Sequence, residues 1–483
     1  MADRRSAVLT FAITSIALFM VALDNLVVTT ALPVIRADLG ATLAQLEWTV
    51  NAYTLTFAVL LLTGAALGDR FGRKRLFAIG LTIFTAASAF AALAPSGDAL
   101  VLARAIQGAG AAIVTPLTLT ILSAAVPPER RGLALGAWGA ISGLAIALGP
   151  LVGGAIVEGL SWQWIFWLNV PIGIVAVPLA IRLLGESRGP DGRLDLPGLG
   201  LASVGLFALV WGLINGNESG WTSTPIVVAF VVAAVSLVVF VAWEARTPAP
   251  MLPLRFFRSR QFSSANAVSL LMSFGVFGAI FLLAQFFQVV QGYSPFEAGL
   301  RTLPWTAMPI FIAPIAGVLS DRIGSRPLLV AGMALMAAGL AWAAALATPT
   351  VEYLLLVPGF ILAGIGMSLF FAPTANLVLS AVRRDEEGRA SGANNTIREV
   401  GGVFGVAVLA SVFSASGSYA SPQAFVDGMV PAIWVGAAVV AVGSIVALAI
   451  PARRRSTSAA APASRPRTIG EPALVVEPVL LRD

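Results

Sequence analysis

Apolar residues along this chain come in long runs separated by short polar, arginine-bearing connections. Fourteen runs are long enough to cross ~30 Å of hydrocarbon. They fall at about 8–31, 47–68, 76–95, 99–122, 133–157, 162–184, 196–215, 225–243, 266–290, 303–320, 327–347, 352–376, 391–416 and 429–450. Runs of this length predict helices, since barrel strands alternate over about ten residues. The first run follows Arg4 and Arg5 and is longer than a typical signal core, so it is expected to stay as an uncleaved first helix. The loops after helices 2, 4, 6, 8, 10 and 12, together with both ends of the chain, hold 26 of the 30 basic residues. Loops after odd-numbered helices hold only Arg36 and Arg301. Positive loop charge stays on the cytoplasmic side, so both termini are expected there, in a multi-pass membrane protein.

Composition narrows the function. Hydrophobic residues make up 58% of the 483 and charged ones 11%. A water-soluble enzyme, a nucleic-acid binder or a disordered protein could not carry that balance. Cys and His are both missing, so thiol chemistry is excluded and the commonest metal ligand is absent. Neither a metal nor a cofactor is expected, and proton chemistry falls to carboxylates. The one lysine, Lys74, precedes Arg75, whereas a phosphate-binding P-loop needs Ser or Thr there. Residues 452–483, rich in Ala, Pro, Ser and Arg, are expected to form a disordered cytoplasmic tail.

The chain also repeats itself. Leu67-Gly68-Asp69-Arg70-Phe71-Gly72-Arg73 after helix 2 matches Leu319-Ser320-Asp321-Arg322-Ile323-Gly324-Ser325-Arg326 after helix 10. Asp69 and Asp321 are 252 residues apart, and the same offset carries Gly149 to Gly401 and Gly153 to Gly405. The repeat divides the chain into helices 1–6 within 1–184, an inserted pair with its loops over 185–262, and helices 9–14 within 263–451. Parallel halves of this kind suit alternating access by rocking.

These motifs resemble the major facilitator superfamily, and within it the fourteen-helix drug:proton antiporters of the EmrB/QacA type. The resemblance covers residues 8–450. Leu23-Asp24 through Ala31-Leu32-Pro33 is similar to the family's helix 1 signature, Leu67 to Arg75 to its loop signature, and Arg104-Ala105-Ile106-Gln107-Gly108-Ala109-Gly110 to its helix 4 motif. Gly143 with Gly149-Pro150-Leu151-Val152-Gly153-Gly154 resembles the helix 5 antiporter motif. Leu26, Thr29 and Glu399 depart from the residues usual at their positions. The resemblance implies an all-α polytopic membrane protein with the major facilitator fold, two six-helix halves plus two inserted helices. It also implies a coupling role for Arg104 and export rather than uptake.

The singled-out residues carry paired expectations. Asp24 lies deep in an apolar helix, where a charge costs at least ~2.5–3.5 kcal/mol; it is expected to load protons or sense cations, or more plainly to bond a neighbouring helix. Arg104 is expected to modulate a nearby carboxylate, or to snorkel to the outer interface. Glu399 is expected as a second proton or cation site, or as a partner of Arg398. Asp69, Arg70, Gly72 and Arg73, with Asp321, Arg322, Gly324 and Arg326, are expected to gate the cytoplasmic mouth, or merely to set topology. Gly143, Gly149, Pro150, Gly153 and Gly154 are expected to let helices approach. Asn51, Tyr53, Asn266, Gln285 and Gln288 are candidate pocket residues, or ordinary interhelix hydrogen bonds. Together these describe a proton-coupled exporter of amphipathic, cationic compounds, acting as a monomer in the bilayer. The rivals are a dedicated exporter of one endogenous product and a transport-dead membrane sensor or assembly partner.

Overall fold

A computed structural model describes residues 2–126, 141, 144–145, 148–188, 194–383 and 386–451, with the side chains of 2–6, 321 and 388 left out. Gly143, most of the fifth run before residue 148 and the tail 452–483 lie outside the described residues. All regular structure among the described residues is helical.

The helices, in chain order, are α1 (Ala2–Leu39), α2 (Leu43–Phe71), α3 (Arg73–Ala92), α4 (Gly97–Ala125), α5 (Leu148–Gly159), α6 (Trp164–Leu183), α7 (Leu196–Ser219) and α8 (Thr224–Glu244). Then follow α9 (Arg260–Gln285), α10 in two pieces (Pro295–Thr306 and Met308–Ile323), α11 (Ser325–Leu346), α12 (Tyr353–Ser380), α13 (Glu387–Ser416) and α14 (Pro422–Ala447). Thirteen described helices are long and apolar enough to span a membrane, and α5 is a shorter apolar helix within the fifth run. Thirteen of the fourteen predicted runs therefore coincide with a described spanning helix.

Local chemistry sets the ends. Thr42 with Gln45, and Ser294 with Glu297, form reciprocal capping boxes that start α2 and α10. Ser96 and Ser421 cap α4 and α14. At Gly72 and Gly324, φ is 107° and 87°, a region that a side chain strongly disfavours. There the chain turns at once from α2 into α3 and from α10 into α11. The end of α9 unwinds into a π turn, Phe286–Val290, the kind of irregularity that places side chains at functional sites.

The repeat is realised in packing. In the first half a methyl group added at Gly153 would strike Thr30 and Val27 of α1, and at Gly149 it would strike Leu26. In the second half Gly401 and Gly405 of α13 lie equally close to Leu270 and Phe274 of α9. Gly110 of α4 abuts Gly80 and Phe84 of α3, as Gly366 of α12 abuts Gly332 and Met336 of α11. The small residues thus let backbones touch at matching places, which is how apolar helices associate in lipid.

The inserted hairpin α7–α8 leans on both halves. Val210 and Ile214 of α7 are buried against Leu55 and Val59 of α2 and Val403 and Ala407 of α13. The outward faces of α7 and α8 expose Phe207, Val231, Val235 and Val238, as a lipid-facing surface should.

Candidate functional site

Asp24 is 2% exposed, halfway along α1. Three donors converge on its carboxylate. Arg104 Nη1 donates to Oδ2 at 2.5 Å, while Gln107 Nε2 and Asn169 Nδ2 donate to Oδ1 at 2.8 and 2.7 Å. Ser88 Oγ accepts from both amides, at 2.8 and 3.3 Å. One network thereby joins α1, α3, α4 and α6. Arg104 is wholly buried, so it does not snorkel to an interface. Its Nε donates to the Thr49 carbonyl at 3.1 Å and Nη1 also reaches Gln107 Oε1 at 2.7 Å. Its guanidinium lies 4.2 Å over the Tyr53 ring. Nη2 has no hydrogen-bond partner among the described residues. Gly108 makes this possible, because a methyl group there would lie 2.3 Å from the Tyr53 carbonyl and hold α4 away from α2.

A cavity of about 120 Å³ lies between the halves. Tyr53, Asn25 and Thr115 line it from the first half, and Ser273, Arg398 and Glu399 from the second. The remaining lining is largely apolar, including Phe57, Phe277 and Phe371. Glu399 Oε1 accepts from Arg398 Nη2 at 3.1 Å. Glu399 Oε2, Asn25 Oδ1, Thr115 Oγ1 and Ser273 Oγ are buried without partners among the described residues. Buried polar atoms normally find partners, and here four unpartnered ones gather around one cavity. Drug-sized ligands fill ~300–1,000 Å³, so the halves must part further to take one. Tyr53 is the shared wall: one face carries Arg104, and its hydroxyl donates to the Val21 carbonyl at 3.3 Å.

Of the other pocket candidates, three hold helices instead of lining this cavity. Asn266 donates to Phe262 O and accepts from Asn394 of α13 at 3.1 Å. Gln285 accepts from the Tyr419 hydroxyl. Gln288 donates to Thr30 O at 2.7 Å, across the halves. Asn51 is fully buried, with neither amide atom partnered among the described residues.

The ends differ. At the end carrying the odd-numbered loops the halves are closed against each other. Glu158 accepts from Ser294 Oγ and from Phe296 N at 3.1 Å, and Arg36 stacks 3.5 Å over Tyr419. Burial pushes the Tyr419 hydroxyl above its ordinary value, so it remains a donor. At the basic end, Asp69 pairs with Arg73 of its own turn at 2.7 Å. Glu186 accepts from the Lys74 and Arg75 amides at 3.0 and 3.3 Å, an anion on the positive end of α3. Arg70 lies over Phe71. In the second half Arg322 is exposed, Arg326 is half-buried, and Asp321's side chain is outside the description.

Gln107, Asn169, Ser88 and Glu186 were not anticipated as site residues. Gln107 sits inside the helix 4 motif, the one signal that pointed to it. Asn169 lies within Trp162 to Gly173, a segment similar to the family's, and Ser88 and Glu186 lie in segments with no local mark.

Residues 14–406 and 302–481 match the sequence profile of the Major Facilitator Superfamily. The chain belongs to this superfamily. It is 40% identical over 412 residues to the Cephamycin export protein CmcT of Amycolatopsis lactamdurans, covering 84% of each chain. It is 36% identical over 413 residues to the Multidrug resistance protein Stp of Mycobacterium tuberculosis, covering 85% of this chain and 76% of that one. Among solved structures it resembles a bacterial homologue of the human lysosomal transporter Spinster, captured inward-facing and unoccupied. The TM-score is 0.63 at 17% identity, over 92% of this chain and 97% of that one. The last likeness speaks to fold alone.

Proposed function

We propose that this superfamily member is a proton-coupled secondary transporter that exports amphipathic, chiefly cationic compounds, of the fourteen-helix drug:proton antiporter type. The observation that carries this reading is the buried Asp24–Arg104 pair against Tyr53, with the cavity between the halves lined by the same Tyr53. Protonating Asp24 removes the charge that Arg104 faces. An unpartnered guanidinium in a dry interior is strongly unfavourable, so the pair has reason to rearrange. Arg104 rests on Tyr53 and Tyr53 lines the cavity, so that rearrangement reaches the ligand site. Glu399 Oε2 and Asn25 Oδ1 offer acceptors to a cation or N–H donor, while Thr115 and Ser273 supply hydroxyls.

The driving force is adequate. One charge crossing ~100 mV gains about 2.3 kcal/mol, and one pH unit adds about 1.4 kcal/mol. Together they sustain a gradient of a few hundredfold per proton.

In this reading the basic end is cytoplasmic, the membrane is a bacterial inner membrane, and one chain suffices as the working unit. The halves 1–184 and 263–451 rock about the cavity, with 185–262 inserted between them. The conformer is closed to the outside. The turns around Asp69 and Asp321 form the inner gate when the halves swing the other way. A second reading, a dedicated exporter of one metabolite, is favoured by the similarity to a protein named for cephamycin export.

The test uses energised inside-out vesicles with a pH-reporting dye inside. Ethidium, a quaternary ammonium compound and neutral antibiotics are then added in turn. Substrate-triggered proton efflux that disappears in Asp24→Asn is the expected result. Efflux unchanged in Asp24→Asn would overturn the role of the pair. Silence across the panel from abundant protein would favour the dedicated exporter.

A further inference from the structure

The inserted hairpin ends in two carboxyl groups that the transport reading does not use. Asp195 caps α7: its Oδ1 accepts from Gly198 N at 2.9 Å and from Trp243 Nε1 at 2.7 Å. Glu244 closes α8 and is 3% exposed. Its Oε2 accepts from Leu252 N at 3.1 Å, holding the chain that leads on to α9. The second oxygen of each, Asp195 Oδ2 and Glu244 Oε1, is buried and has no donor among the described residues. Both point at the same spot. A methyl group on Gly198 would lie 2.5 Å from Asp195 Oδ2 and 2.9 Å from Glu244 Oε1. Gly198, without a side chain, leaves room for them to meet.

Two carboxylates this close cannot both carry charge without a large penalty, and each idle oxygen is an acceptor facing an acceptor. A single proton between them satisfies both. Asp195 is the charged group that meets Glu244 over Gly198, and the Leu252 amide donates to Glu244. The nearby Arg246 turns its guanidinium back to the Ala242 carbonyl at 3.3 Å. We propose that Asp195 and Glu244 form a proton-binding site, and that the shared proton clasps the two tethers of the inserted hairpin. The tether before Asp195 comes from the first half, and the tether after Glu244 runs to the second. Losing the proton sets two charges against each other and frees the Leu252 tether. Since α7 packs on both α2 and α13, the clasp holds an element that both halves must slide against. On the proposed orientation it faces the cytoplasm and reads internal pH.

The chain has no cysteine, so a single Met251→Cys reports on the tether directly, without any transport assay. Its thiol-labelling rate in detergent is normalised to that of Thr222→Cys, an exposed position at the hairpin's other end, which removes the thiol's own titration. In the otherwise wild-type protein the normalised rate rises with pH, by up to about tenfold per pH unit across the transition. Glu244→Gln and Asp195→Asn, whose amides donate where the proton did, keep the rate low and flat. A flat wild-type profile, or a Glu244→Gln profile that still rises, overturns the proposal. If millimolar Mg²⁺ or Ca²⁺ restores protection at high pH, the pair is a cation site and the shared proton is overturned. Should Met251→Cys fold poorly, infrared difference spectra on the cysteine-free protein replace it. A protonated-carboxyl band that titrates and vanishes in Glu244→Gln is expected; no such band overturns the site.

Discussion

The two halves share a scaffold but not an interior. Gly108 of α4 presses on the Tyr53 carbonyl of α2, and Gly364 of α12 presses on the Trp305 carbonyl of α10. One turn before each glycine stands the residue that matters. In the first half Arg104 lies over Tyr53. In the second, Phe360 stacks on Trp305 with ring centroids 6.3 Å apart. Matching the halves by their glycine contacts sets Asp24 against Val268, Gln107 against Ala363 and Ser88 against Leu340. All three counterparts are buried and apolar. One half therefore fills this space with a charged network and the other with a dry core. The polar network is not needed to hold six helices together, since the second half packs without it. Its presence in the first half calls for another use, and proton coupling supplies one.

The largest expected effect comes from breaking the contrast at one residue. Arg104→Ala leaves Asp24 buried and short of its main donor, at a cost of about 3–5 kcal/mol, read as a loss of folded protein in detergent melts. Making the first half like the second is gentler. A quadruple Asp24→Val, Arg104→Phe, Gln107→Ala, Ser88→Leu protein is expected to be more stable than Arg104→Ala alone. It is expected to show no proton-driven transport. Transport at the normal rate in that protein would show the network to be structural.

Glu399 tests the other side of the comparison. The cavity draws its carboxylate from the second half, so Glu399→Gln should weaken cationic substrates by about tenfold to a hundredfold, the worth of a charge-assisted hydrogen bond. Neutral substrates should change little, and competition binding on purified protein separates the two groups. Next come the shared contacts. Gly405→Ala sets a methyl 2.1 Å from the Phe274 carbonyl, and Gly153→Ala sets one 2.4 Å from Thr30 Oγ1. Each should cost about 1–3 kcal/mol, the backbone clash more than the side-chain one. Gly436→Ala, whose nearest contact is a Leu409 methyl at 3.3 Å, is the mild control.

The smallest effect concerns how each half is tied at the basic end. The first half uses Glu186 on the amides of α3. The second uses Glu386, which accepts from Arg383 and Arg255. The Arg383 hydrogen bond, with the Arg255 charge, holds the Glu386 carboxyl below its ordinary value. A lowered folded-state value means the contribution is present above the unfolded carboxyl's pKa and lost as pH falls through the folded one. The melting temperature should therefore fall slightly less steeply on acidification in Glu386→Gln than in the wild type. Identical slopes would remove Glu386 from the account.

Much of this was legible along the chain. Thirteen of the fourteen runs found described spanning helices, because covering a backbone in hydrocarbon demands long apolar segments, whatever the packing. Glycine at Gly72 and Gly324 was readable from the repeated Asp-Arg-x-Gly turn. Asp24 stood out because an acid in such a run is costly. Its partners did not: Gln107 and Asn169 lie 83 and 145 residues away, and an amide in an apolar helix bonds a neighbour far more often than a site. For the same reason polarity alone left two readings open for Asn266, Gln285 and Gln288, and here they make hydrogen bonds between helices and their connections.

Local pattern thus determined the described spans, the turns and the presence of a deep acid at Asp24. These depend on transfer from water to hydrocarbon, which each segment meets by itself. The tertiary structure decided that Arg104 turns inward to Asp24, that four unpartnered polar atoms face one cavity, and that Asp195 and Glu244 meet over Gly198. Those depend on which helices touch and at what height. Contacts between residues tens to hundreds of positions apart are set by how small residues let whole helices approach, and no window of sequence contains that geometry.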